Sequence, residues 1–205
     1  MALAAGALAV SLGAVLSDRA PYPYAMRRVL DMPLPVLTRR RLDGLLGVQP
    51  GEQVLEIGPG TGLQTLHVAR QLGTSGRLTA VDVQAEMLRH VRDRAARCRI
   101  GRVTVVRADA RALPFRDATF DAAYAVTVLG EVPAPLSALI ELRRVLRPGG
   151  RLVIGEFADR HYLPPGHVTR LANLAGLHLD RLVGLPPLAY YARFVPCADR
   201  GGQVS

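Results

Sequence analysis

The sequence predicts one α/β domain built on an open, mostly parallel sheet. Three observations carry that expectation. Apolar, β-branched runs alternate with helical periods from Gln53 to Phe157. A glycine-rich turn, Gly58-Pro59-Gly60-Thr61-Gly62, joins the first apolar run to the first helical period after it. The tail holds two strand-like runs with no room between them for a crossover helix, so they must pair antiparallel. A length of 205 residues suits a single domain, and 49% hydrophobic residues supply its core.

Met1 to Leu16 carries no charged side chain, and Arg19, Arg27 and Arg28 follow it. The run is short for a bilayer-spanning helix, which takes about 20 apolar residues. It also lacks the basic start of a signal peptide. Three readings stay open: a peripheral membrane anchor, a helix packed on the domain, or a frayed or wrongly assigned start. If inserted, it would leave the domain in the cytoplasm, because the arginines come after it. Pro21 to Pro35 is proline-rich, holds Tyr22 and Tyr24, and reads as an irregular arm. Residues 1–33 therefore form a segment and arm, 34–197 the domain, and 198–205 a tail.

A helix is expected from about Leu34, with Leu37, Leu42, Leu45 and Leu46 on one face and Gly47 as its C-terminal cap. Strands follow at Gln53–Ile57, Arg77–Val83, Val103–Ala108, Phe120–Val128 and Arg151–Phe157. Helices fall at Leu63–Leu72, Gln84–Arg97 and Pro135–Leu146. Thr61 and Gln64 have capping-box spacing at the start of the first of these. His167 to Ala175 is helix-like, and the tail strands span His178–Val183 and Leu188–Val195.

All 26 basic residues are arginine, and the formal net charge is +9. Such a charge raises a nucleic-acid hypothesis. Much of it lies along helical stretches, as at Arg89, Arg92, Arg94, Arg97 and Arg99, where it reads as a solvated face. No nucleic-acid partner is expected. Cys98 and Cys197 stand apart from each other and from any Cys/His cluster, so no metal site is expected and both read as small hydrophobes.

The residues that carry chemistry gather at strand ends. Glu56 ends the first strand, and Gly58 and Gly60 follow it, where the missing Cβ lets backbone approach a ligand. Asp82 closes the second strand, where a carboxylate can accept hydrogen bonds from ribose hydroxyls. Asp109 follows the third and could accept from an adenine amino group. Strand carboxyl ends meet in one crevice, so three acids would line one site. Three anions repel a dinucleotide pyrophosphate but favour S-adenosylmethionine (SAM), which carries a sulfonium and an ammonium. The competing reading is that Asp82 and Asp109 only cap turns.

Four stretches, VLEIGPGTG, AVDVQAEML, RADARALPFRDATFDAAYAVTVLGEV and LRRVLRPGGRLVIGEF, together resemble the class I methyltransferases of the ubiquinone/menaquinone C-methyltransferase type. The resemblance runs from about Leu42 to Phe157, with a family-like tail to Val195. It implies a Rossmann-like, seven-stranded, mostly parallel sheet of order 3-2-1-4-5-7-6, with strand 7 antiparallel and helices on both faces. It implies SAM as cofactor, with Glu56, Gly58 and Gly60 facing its methionine part. Asp82 would hold the ribose, Val83 and Met87 would lie against adenine, and Asp109 and Ala110 would meet the adenine edge. Thr127 and Val128 would flank the methyl-transfer region. Leu113-Pro114-Phe115 and Phe120-Asp121 fit the pattern as packing and turn residues. Two departures concern the acceptor. Leu129-Gly130-Glu131 stands where many relatives carry a His-His pair, and only Ala158 to Gly166 is available for a cap, which leaves the lid to the amino-terminal arm or to a partner.

The expected activity is methyl transfer from SAM to a small-molecule acceptor, with a lipophilic, quinone-like one as the finer expectation. Candidate bases are His161, Glu131, Tyr24 and His167, with His161 taken first and Glu131 next as catalytic residues. For His161 the competing reading is an exposed loop histidine, and for Glu131 a surface charge. Two other classes stay open: an NAD-dependent oxidoreductase sharing Gly58, Gly60 and Asp82, and a non-catalytic partner subunit that keeps the fold. The expected location is the cytoplasm, with membrane contact through residues 1–16 as the further possibility.

Overall fold

The central parallel strands are buried on both faces, which is why each reads as a near-continuous apolar run rather than an alternating one, while the edge strand Val103–Arg107 is half-buried. In the computed structural model, which describes residues 21–26 and 37–197, five helices and seven strands alternate along the chain. Helix α1 (Arg39–Leu46) precedes β1 (Gln53–Ile57), α2 (Leu63–Gln71), β2 (Arg77–Asp82), α3 (Ala85–Arg97) and β3 (Val103–Arg107). Then come β4 (Phe120–Val126), α4 (Pro135–Val145), β5 (Leu146–Phe157), α5 (Pro165–Leu174), β6 (Leu177–Leu185) and β7 (Ala189–Pro196). The sheet order is β3-β2-β1-β4-β5-β7-β6. Strands β1 to β5 pair parallel, and β7 pairs antiparallel with both β5 and β6.

Alternation along the strands divides the core in two. Leu55, Ile57, Ala123, Ala125, Leu152 and Ile154 face α4 and α5, meeting Leu139, Leu142 and Val168. Val54, Ala122, Tyr124 and Val153 face the other way, meeting Leu42, Leu45 and Leu46 of α1 and Leu66, Val68 and Ala69 of α2. Helix α1 begins at a Thr38 cap and ends at Gly47, whose left-handed φ of 53° closes the helix as its position suggests. Arg151, at the base of β5, pins that end. It donates to the carbonyls of Leu46 and Gly47 and pairs with Glu52 at 2.6 Å. The opposite end of α1 therefore points toward the carboxyl edge of the sheet.

Several local expectations are corrected. Residues 1–20, 27–36 and 198–205, with the apolar run and the predicted start of α1 at Leu34, lie outside the described residues. No helix among the described residues is long and apolar enough to cross a membrane. The Thr61–Gln64 capping box does not form: Gly62 is the N-cap, left-handed at φ 84° and without a side-chain cap bond. Strand β4 stops at Val126, because Thr127 turns into the left-handed region at φ 57°. Helix α4 hands over directly to β5 at Leu146. Arg94 leaves the solvated face of α3 and donates to the Thr61 carbonyl at 3.0 Å, bracing the glycine-rich turn. Both cysteines are exposed rather than packed.

Candidate active site

The parallel strands all deliver their carboxyl ends to one edge of the sheet, and a cavity of about 920 Å³ opens there. Glu56, Asp82 and Asp109 all line it, as do Gly58, Gly60, Val83, Met87, Ala110, Thr127 and Val128. The three acids that sequence reasoning placed around a single crevice thus share one.

Their electrostatics differ. Glu56 is 3% exposed, and its Oε2 has no hydrogen-bond partner. The Thr65 and Tyr124 hydroxyls lie near enough to offset part of the burial cost but fall outside hydrogen-bond geometry. Burial pushes the Glu56 carboxyl up to about 7, and Asp82 adds to it. Asp82 is also raised by burial, while the N–H groups of Gln84, at 2.8 Å, and Val83 offset part of the shift. The turn-capping reading of Asp82 is therefore true of one oxygen. Asp109 is a different case. Arg111 donates to both its oxygens, at 2.6 Å from Nη2, and holds it below the usual carboxylate range. The third acid of the rim arrives with its own counter-ion.

Two backbone positions explain the glycines and a strained threonine. A Cβ on Gly58 would meet Val128 Cγ2 at 2.4 Å, at a backbone φ of 64°. A Cβ on Gly60 would meet no protein atom within 4 Å, so there the open space belongs to the cavity side rather than to packing. Thr127, a β-branched residue at positive φ, is held by its N–H to Gly155 O and its hydroxyl to Val126 O, both at 2.7 Å. Strain of this kind, held in place by neighbours, is a mark of functional positions.

The other rim is assembled from distant segments. Glu131, in a 3-10 turn (Leu129–Glu131), lines the cavity and is not a surface charge. Burial pushes it up to about 8, with Asp159 adding to the shift, Tyr22 backbone offsetting it, and Asp82 and Arg160 exerting smaller opposed effects. His161 is 8% exposed, not a solvated loop histidine, and its Nδ1 lies 3.9 Å from Glu131 Oε1. It is absent from the cavity wall and stands behind Glu131. The other two base candidates lie elsewhere. Tyr24 meets His90 on α3 at 3.3 Å, and His167 meets Arg170 at 2.9 Å, neither on the cavity wall.

Sequence reasoning missed three contributors. Tyr22 crosses the mouth: Gln84 donates to its carbonyl at 3.0 Å, and its hydroxyl donates to Asp159 at 3.4 Å. The Arg160 guanidinium lies 4.7 Å from its ring centre, and His161 packs edge-on against it. Pro21 and Tyr22 of the arm thus line the cavity, the arm being one of the two places, with a partner, that the short insert after β5 leaves for a lid. Glu156, 2% exposed, accepts from Leu163 N–H at 3.4 Å and is pushed up to about 8 by burial. An acid inside the apolar run RLVIGEF was the available signal. Leu37 to Arg39, at the start of α1, also border the cavity, and nothing local in the sequence marks them for it.

The site residues fit SAM on these observations. A buried acceptor without a partner suits a ligand ammonium, and a wall on which Glu56, Asp82, Asp109 and Glu131 stand against Arg39 and Arg111 suits a cation. Residues 55–154 match a family described as a methyltransferase domain. A ubiquinone/menaquinone biosynthesis C-methyltransferase of Teredinibacter turnerae is 41% identical over 115 residues, covering 56% of this chain and 46% of that protein. A demethylmenaquinone methyltransferase of Tropheryma whipplei is 37% identical over 153 residues, 74% of this chain and 61% of that one. The chain thus spans about half to three fifths of these curated relatives. Among solved structures, a SAM-dependent methyltransferase from Aquifex aeolicus superposes with a TM-score of 0.76 at 24% identity, covering 85% of this chain and 98% of that one. The [4+2]-cyclase SpnF superposes with a TM-score of 0.63 at 26% identity, covering 82% and 62%.

Proposed function

We propose that this chain transfers a methyl group from SAM to a small, lipophilic acceptor of the quinol type. The premise is a class I SAM-dependent methyltransferase fold, homologous through its centre to the ubiquinone/menaquinone C-methyltransferases. The observation that carries the reading is Glu56, a buried acid with an unpartnered oxygen on the wall of an acid-lined cavity.

In this reading Glu56 receives the ligand ammonium, and Gly58 and Gly60 let the backbone approach the methionine part. Asp82 takes the ribose hydroxyls with the oxygen that Gln84 leaves open. Val83 and Met87 flank adenine, Ala110 meets its edge, and Asp109 does so while shared with Arg111. Thr127 and Val128 border the reacting methyl. When bound, SAM supplies an electrophilic methyl on a cationic sulfur, which leaves with its bonding electron pair as a neutral thioether. The protein aligns the acceptor carbon in line with that bond and keeps water out, effects worth several kcal/mol. Pro21 and Tyr22 close the mouth.

Methylating an activated ring carbon requires loss of a proton from the acceptor. Glu131, pushed up to about 8, is an acceptor of the right strength near neutral pH and lies on the cavity wall. His161, with Nδ1 3.9 Å from its Oε1, packs behind the carboxyl and positions it. The working location is the cytoplasm, where SAM is available, and the acceptor is a small molecule rather than a nucleic acid.

The test is methyl-labelled SAM with a panel of acceptors that includes demethylmenaquinone reduced to its quinol and water-soluble catechols, alongside binding of SAM and NADH. The reading expects SAM binding and label transfer to the lipophilic quinol. SAM binding with no acceptor methylated favours the partner-subunit reading, and preferential NADH binding overturns the proposal.

A further inference from the structure

Of the six large hydrophobic side chains exposed among the described residues, three lie on one hairpin: Leu182, Leu185 and Leu188. Leu185 is 62% exposed and Leu188 47%, and between them stand Pro186 and Pro187. This apolar tip joins β6 to β7. The pairing places it, because Ala189 pairs with Phe157, the carboxyl end of β5, and with Leu185. The tip therefore sits at the same edge of the sheet as the cavity. Leu188 O accepts from Ala158 N–H at 2.8 Å, and Asp159, next along, holds the Tyr22 hydroxyl at the mouth.

Basic side chains share the carboxyl edge of the sheet with the tip. Helix α1 packs on β5 and β7, and its first turn, with Arg39 and Arg40 exposed, points to the same edge. Arg107 lies exposed at the carboxyl end of β3, at that edge too. The acids there are turned inward or paired, as Asp109 is with Arg111 and Glu86 with Arg89. The rest of the chain points the same way. Pro21, which lines the cavity, is preceded by twenty residues of which the first sixteen carry no charged side chain.

We infer that this edge docks on an anionic lipid surface, with Leu185 and Leu188 entering the interface and Arg39 and Arg40 meeting the headgroups. An apolar tip inserts into the headgroup and acyl boundary, and adjacent arginines add attraction that salt weakens. The net charge of +9 favours an anionic partner. Docked in this way, the cavity mouth faces the lipid, so a lipophilic acceptor reaches it without crossing water. That last consequence rests on the proposed function, whereas the docking itself does not.

The test is flotation of the full chain with vesicles of phosphatidylcholine, with and without phosphatidylglycerol. The inference expects binding that needs phosphatidylglycerol and weakens with added salt. L185S/L188S should lower partitioning about tenfold, from lost apolar burial, and R40Q should lower it several-fold in low salt only. Wild-type partitioning by L185S/L188S overturns the inference, even if residues before Pro21 hold the chain on vesicles. So does a solution dimer that L185S/L188S dissociates, since a second copy would then cover the tip. SAM calorimetry on the same preparations reads the methyl-transfer proposal separately, because neither leucine lines the cavity.

Discussion

The two rims of the cavity are built in different ways. The rim formed by β1, β2 and the start of α2 comes from short contiguous stretches, each a strand end and the turn after it. The opposite rim is Tyr22 and Glu131, backed by Glu156, Asp159 and His161 behind the wall, and one of the hydrogen bonds there spans 137 positions. The first rim presents acids and glycines to a ligand whose chemistry they describe. The second presents buried carboxyls close enough to raise one another. On the proposed reading, a cofactor site is written locally at strand ends, whereas an acceptor site is an outcome of packing.

The largest effect that would sharpen this comparison is on turnover. Glu131→Gln should lower kcat by about 10²–10⁴-fold, the usual range for a lost general base, and leave SAM affinity within about twofold because it adds no charge to that rim. A joint loss of both in single-turnover assays and calorimetry would erase the division between rims.

Next comes the pair of glycines. Gly58→Ala drives a Cβ into Val128 at a left-handed φ, and should cost about 2–4 kcal/mol of stability by overpacking and strain together. Gly60→Ala meets only backbone strain and should cost about 1 kcal/mol of stability. Denaturant unfolding measures both, and equal costs would show that the two glycines serve the same purpose.

Asp82→Ala should weaken SAM by about 1–3 kcal/mol through lost hydrogen bonds. Unchanged affinity by calorimetry would leave Asp82 as a turn cap alone.

The last effect is a slope with pH. Glu56, Glu131 and Glu156 have carboxyls raised to about 7 or 8, so the folded chain binds protons that the unfolded chain has released above the ordinary carboxylate range. Unfolding then takes up fewer protons than folding holds, and stability falls as pH rises from about 4.5 toward 8. Each group contributes at most about 1.4 kcal/mol per pH unit. Melting of the ligand-free chain between pH 5 and 8 should show that decline, and saturating SAM should flatten the part due to Glu56. A rising melting temperature over that range contradicts the burial of these acids.

What the sequence made legible follows the same division. The succession of strands and helices and the antiparallel hairpin were readable because apolar runs, glycine turns and connection lengths are local, whereas the strand order was implied only by the family resemblance. The residues of the first rim were readable for the same reason, and all of them line the cavity. The Asp109–Arg111 pair was not anticipated, because a neighbouring arginine reads equally well as solvated. Glu131 and His161 were named, but their burial was not, since only the docked arm and the loop after β5 exclude water from them. Tyr22 could be assigned to an irregular arm but not to the mouth, because nothing in its neighbourhood specifies what lies 137 positions away. The failed Thr61–Gln64 cap shows the converse: a spacing rule gave way to a glycine turn that presents backbone to the cavity.

The most direct measurement is SAM affinity as a function of pH, by calorimetry in buffers of differing ionisation enthalpy. If a cationic ligand binds beside Glu56, that carboxyl must ionise, so binding releases a proton below pH 7 and affinity rises roughly tenfold per pH unit at most as pH approaches it. Affinity that stays flat from pH 5.5 to about 7, with no proton released, would contradict a cavity whose buried acid receives the cofactor's charge.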